Sequence, residues 1–163
     1  MKAMKDPPKK KHANRPRKEP LSPLSDAERL VRARQEFGKA TVFVTEAEKL
    51  AVRRDTPNAC AHAAYYAMNH CALAAVLASG GIGRINSAPQ NHRDTIFHFA
   101  ALVEGESEEL RECGKALNGA FSAREIADYG MDASISADDA AQVASDATRF
   151  IRACRERWSL DKL

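Results

Sequence analysis

The chain is poor in aromatic residues and has no long apolar run. Phe, Trp and Tyr make up 6% of its 163 residues, so large rings cannot fill a core, which has to come from close packing of small side chains. The longest uninterrupted apolar stretch runs from Cys71 to Ala78. A membrane-spanning helix needs roughly 20 such residues. The N-terminus is basic but lacks the apolar segment of a secretory signal. These absences predict a soluble chain, located in the cytoplasm and without a membrane partner.

Several chemical signatures are missing as well. Cys60, Cys71, Cys113 and Cys154 stand far apart with no Cys-x-x-Cys. A zinc site needs a tighter cluster, and free cysteine is more often a small buried side chain. The five histidines include no His-Glu-x-x-His and no pair four residues apart, and by spacing they form no site. No serine sits in a Gly-x-Ser-x-Gly elbow. The run Gly80-Gly81-Ile82-Gly83-Arg84 follows a helical pattern rather than a strand and lacks the Gly-Lys-Ser/Thr ending of a phosphate loop. Neither a metal nor another cofactor is expected.

Charge is unevenly placed. Residues 1–20 hold eight Lys/Arg against two Asp/Glu, whereas the rest holds 17 against 20. The formal +3 of the whole chain therefore belongs to its start, and the remainder gives no electrostatic argument for nucleic acid. Five prolines and the Lys9-Lys10-Lys11 run mark residues 1–24 as a disordered basic tail. Such a tail is either a phosphate-binding patch or a solvated extension. Residues 25–163 are expected to form one helical domain.

That part reads as helix throughout. Ser25 with Glu28 three residues on makes a capping box, and Leu30, Ala33, Phe37, Ala40, Val44, Ala47 and Ala51 continue at helical spacing, predicting a helix from Asp26 to about Val52. Thr56-Pro57 opens the next, with a capping hydroxyl and proline in the first turn, and Gly80-Gly81 closes it near Ser79. Its stripe of Cys60, Ala64, Ala67, Cys71 and Ala74 lets another helix approach closely, which puts it at the centre. A shorter helix is expected from His92 to Val103, a fourth from Glu106 to Tyr129 with Gly130 as its stop, and a fifth from Ser136, capped by Asp139. The fold class is all-α: an antiparallel up-down bundle of about five helices.

One position is unusual. Leu110, Cys113, Leu117 and Phe121 form a narrow stripe on the fourth helix, and Arg124 continues it. An inward guanidinium is costly unless it is paired or faces a wet cleft. Asp128, four residues on, lies within pairing reach. Two readings stay open: a phosphate clamp, or an ion pair that fixes a helix end or a dimer seam. Tyr65 and Tyr66 point about 100° apart on the second helix, so one belongs to the core and the other to a rim, where a ring can stack on a base. His92 is a further candidate for proton transfer.

The order Ala61-His62-Ala63-Ala64-Tyr65-Tyr66-Ala67-Met68, then a histidine-containing third helix, then Arg124-Glu125-Ile126-Ala127-Asp128-Tyr129, then a Ser-capped last helix with an aromatic-basic end resembles the HEPN domain family. The likeness is to its small stand-alone members, the type paired with minimal nucleotidyltransferases, and spans Asp26 to Trp158. The resemblance implies an up-down bundle that dimerises, with a functional cleft between the copies. It implies a toxin-like or accessory role beside a nucleotidyltransferase, and for many members metal-independent RNA cleavage through Arg, four residues, then His. Arg124 matches that arginine. Tyr129 stands where the histidine belongs, and a phenol with a pKa near 10 is a poor general base at neutral pH.

The expected function is thus binding of RNA or a nucleotide in a homodimer cleft through Arg124, Tyr66 and His92. One alternative is an active ribonuclease toxin using Arg124 with Asp128, Tyr129 or His92. The other is a non-catalytic structural dimer.

Overall fold

A computed structural model describes residues 24–80, 89–129 and 134–163, with Tyr129 described by its backbone alone. The expected basic tail, the glycine loop beyond Gly80 and the stop at Gly130 lie outside the described residues. Five helices follow in order: α1 (Asp26–Arg53), α2 (Pro57–Ala78), α3 (His92–Val103), α4 (Glu108–Tyr129) and α5 (Ala137–Trp158), with a 3₁₀ turn at Leu160–Lys162. No strand occurs among the described residues. The all-α bundle is as expected, including an unbroken helix through Thr41-Val42-Phe43-Val44.

The caps show how the helices are bounded. At α1 both halves of the capping box form: the Glu28 amide donates to Ser25 Oγ, and the Ser25 amide donates to the Glu28 carboxylate. At α5 the Asp139 amide donates to Ser136 Oγ at 3.0 Å. Two boundaries differ from expectation. Thr56 makes no side-chain cap to α2, because its hydroxyl turns to Asp55 at 3.4 Å, leaving Pro57 to start the helix. α4 begins at Glu108 rather than Glu106, because Ser107 Oγ accepts from the Leu110 amide while Glu106 grips Arg157 with both oxygens, at 2.7 and 2.8 Å. That fork joins the end of α5 to the α3–α4 turn.

α2 is apolar on nearly all sides, which suits a helix covered on every face. It packs against α1, α3, α4 and α5. Ala61, Ala64, Ala67, Ala74 and Ala75 are fully buried, and so are the four cysteines. Cys60 Sγ lies 3.5 Å from carbonyls of both Ala47 and Ala140, a contact open only to a small side chain. The far end of α2 is held by Arg29, whose guanidinium donates to the Leu77 and Ala78 carbonyls, as a cation suits a helix C-terminus. Gly80 then leaves with φ +69°, the left-handed region that glycine takes without strain. The larger rings gather beyond α2, where Phe99 meets Phe150 at 5.0 Å and Trp158 at 6.1 Å.

Candidate functional site

Between Cys60 and Leu77 every residue of α2 is buried except His62, Tyr66 and His70. They recur every four residues and so form one row along the helix. Around this row the other helices place polar groups. α1 supplies Glu36 and Phe43, α3 supplies His92, and α4 supplies Arg124 and Asp128.

The rings of the row stack. His62 lies on Tyr66 with centroids 4.7 Å apart and planes 13° from parallel. Phe43 covers the other end, 5.5 Å from Tyr66 and 5.6 Å from His70. His92 meets Tyr66 edge-on at 5.4 Å. Tyr65 turns into the core and is fully buried, while Tyr66 stays at the rim.

Carboxylates hold both ends of the row. At one end Asp128 stands between two partners: its Oδ2 is 2.8 Å from Arg124 Nε, and its Oδ1 is 3.3 Å from His62 Nδ1. The Arg124 side chain is 18% exposed, as expected for a guanidinium on the inner stripe of α4. At the other end Glu36, 7% exposed, receives His70 Nδ1 at 2.6 Å and Lys39 Nζ at 2.9 Å. Burial works against the Glu36 carboxylate, but these hydrogen bonds outweigh it and set its pKa below the ordinary value.

His92 is bound from behind. Its Nδ1 lies 2.8 Å from Tyr65 Oη, and Tyr65 Oη lies 3.5 Å from Asn69 Oδ1. Which of His92 and Tyr65 donates in the 2.8 Å bond follows the tautomer of the ring. Burial, then the Arg124 charge, then His70, keep the His92 pKa below the imidazole norm. Burial likewise pushes the Tyr65 phenol up, with Arg124 opposing it. The result is a neutral imidazole beside a guanidinium.

Of the residues singled out in the sequence, Arg124, Asp128, Tyr66 and His92 come together here, and the side chain of Tyr129 lies outside the described residues. His62, His70 and Glu36 were not expected. Histidine spacing alone showed no site, whereas the fold collects three imidazoles around Tyr66. The one available signal was the eight-residue interval between His62 and His70, which puts them on similar faces of a single helix.

Space adjoins the row. A groove of about 280 Å³ is lined by Phe43, Glu46, Leu50, Ala59, His62 and Ala63. A roomier one, about 740 Å³, lies between α3 and α4 around Phe97 and Lys115, and none of the groups above lines it. Among the described residues no three His, Cys, Asp or Glu side chains gather to hold a metal. No helix there is long and apolar enough to cross a membrane.

Comparison with known proteins bears on this arrangement. The family model described as "HEPN domain" matches residues 33–157, a span that holds every residue of the row and its partners. The chain is also similar to a UPF0332 protein of Archaeoglobus fulgidus, at 37% identity over 93 residues, covering 57% of this chain and 69% of that one.

Proposed function

The chain belongs to the HEPN domain family, and on that premise we propose that it binds RNA or a nucleotide through phosphate at a cleft around Arg124. The observation that carries the proposal is the setting of that guanidinium. It is mostly buried, aligned by Asp128 and placed beside His92 and the Tyr66 rim. A planar guanidinium held this way matches a phosphate and loses little freedom on binding it. Tyr66 offers a ring face at the rim for a base.

Residues 25–163 are the HEPN unit in this reading, and residues 1–24 a basic extension that adds phosphate attraction. Family members often dimerise, and we place the cleft between two copies of the chain in the cytoplasm. A toxin-like or accessory role beside a nucleotidyltransferase goes with that family pattern. The small residues of α2 are covered within the chain, so the seam of such a dimer lies elsewhere in this reading. Binding of a short RNA and of ATP to wild type and Arg124→Ala is the test. A loss of affinity in the variant is expected. Equal, negligible binding by both rejects the proposal, and a large stability loss with binding unchanged favours a structural ion pair instead.

RNA cleavage without a metal is a second reading of the same site. The position of His92 favours it, because an imidazole next to a phosphate-binding arginine suits a general base. Labelled RNA incubated with the protein in EDTA should yield a 2′,3′-cyclic phosphate. Cleavage unchanged by Arg124→Ala counts against this reading.

A further inference from the structure

We infer that His62 is a second catalytic residue of the Arg124 site, the group that protonates the leaving oxygen, with Asp128 as its positioning residue. The inference rests on the RNA-cleavage reading above. It starts from a shortage: cutting RNA by internal transfer needs a base for the 2′-hydroxyl and an acid for the 5′-oxygen. His92 serves as the first, which leaves the second to be assigned.

His62 meets the structural requirements of that missing group. It shares the Asp128 carboxylate with Arg124, so phosphate bound at the guanidinium lies next to the imidazole. Asp128 faces Nδ1 at 3.3 Å, which leaves Nε2 as the ring nitrogen for the proton transfer. The stacked Tyr66 ring fixes the plane of the imidazole, as a second partner fixes the ring in other carboxylate–histidine pairs. The side chain is 40% exposed and opens on the 280 Å³ groove. By contrast His70, at the far end of the row, is 19% exposed and engaged by Glu36. His62 and His92 both touch Tyr66, one on its face and one at its edge, so the two imidazoles flank a single ring beside Arg124.

The step balances with these groups alone. His92 Nε2 takes the proton of the 2′-hydroxyl, and O2′ bonds to phosphorus while Arg124 holds the phosphate oxygens. The P–O5′ bond breaks, its electron pair stays on O5′, and the Nε2 proton of the His62 imidazolium joins it. The products are a 2′,3′-cyclic phosphate and a 5′-hydroxyl, with His92 protonated and His62 neutral. Exchange with water resets both.

A substrate that needs no acid separates this role from a merely structural one. Full-length wild type, His62→Asn, His92→Asn and Arg124→Ala are compared on ordinary RNA and on RNA with a bridging 5′-sulfur, whose thiolate leaves without protonation. His62→Asn should lose about 10²–10⁴-fold in rate on ordinary RNA, keep its RNA affinity and melting temperature, and recover on the sulfur substrate. His92→Asn should recover on neither. Ordinary RNA cut by His62→Asn at the wild-type rate, or a defect that the sulfur substrate does not relieve, overturns the inference while the cleavage reading stands. A wild type that leaves both substrates intact overturns the two together, and RNA affinity measured on Arg124→Ala then decides the binding proposal alone.

Discussion

Arg124 Nε and Asp128 Oδ2 lie 2.8 Å apart across one turn of α4, and both side chains are less than a quarter exposed. This pair turns the last part of an otherwise apolar stripe into a charged one. It also links α4 to α2, because the second oxygen of Asp128 faces His62.

Asp128→Ala removes the carboxylate from between these two groups. An exposed ion pair contributes about 0–1 kcal/mol, and the partial burial of this one puts the expected loss near the upper end, about 1 kcal/mol. Urea denaturation should show a lower midpoint with an unchanged slope. A midpoint equal to wild type would make the pair energetically neutral.

Stability should depend on His92 below neutral pH. The folded ring has a lowered pKa through burial and Arg124, so below the ordinary imidazole value of 6.5 the unfolded chain binds a proton that the folded chain resists. Stability is therefore full above that value and falls as pH drops through the folded pKa. Melting temperatures from pH 8 down should decline less steeply for His92→Gln in that window. Parallel profiles contradict the assignment.

Tyr65→Phe keeps the buried ring and deletes the oxygen bonded to His92 Nδ1 at 2.8 Å. A buried polar group left unsatisfied costs about 1–3 kcal/mol. In wild type, ¹⁵N imidazole shifts should report the Nδ1–H tautomer of His92, and the variant should lose that bias. An Nε2–H tautomer in wild type would reverse the direction of the Tyr65–His92 hydrogen bond.

Ala67→Leu inserts bulk where α2 is fully enclosed. Overpacking of this kind costs about 1–3 kcal/mol. Calorimetry should show a lower melting temperature, and a variant as stable as wild type would mean that α2 has slack against its neighbours.

Most of the bundle could be read from local chemistry. Ser25, Glu28, Ser136 and Asp139 announce two helix starts by spacing alone, and those bonds form. Thr56 shows the limit of such reading, since which acceptor a hydroxyl chooses depends on the turn beside it. The inward aim of Arg124 and its partner Asp128 were legible because both sit on one helix. His62 was not, because its link to Asp128 joins residues 66 positions apart through the packing of α2 on α4. Glu36 was hidden for the same reason: a glutamate on α1 looks solvated until His70 is brought against it.

The enclosed cysteines have a practical consequence. All four are buried, and burial raises the pKa of Cys60, Cys113 and Cys154, that of Cys113 to about 11, so little reactive thiolate forms near neutrality. An alkylating reagent should modify the folded chain only when the helices part. The rate of mass gain then becomes an intrinsic clock for opening of the bundle, readable without any added label.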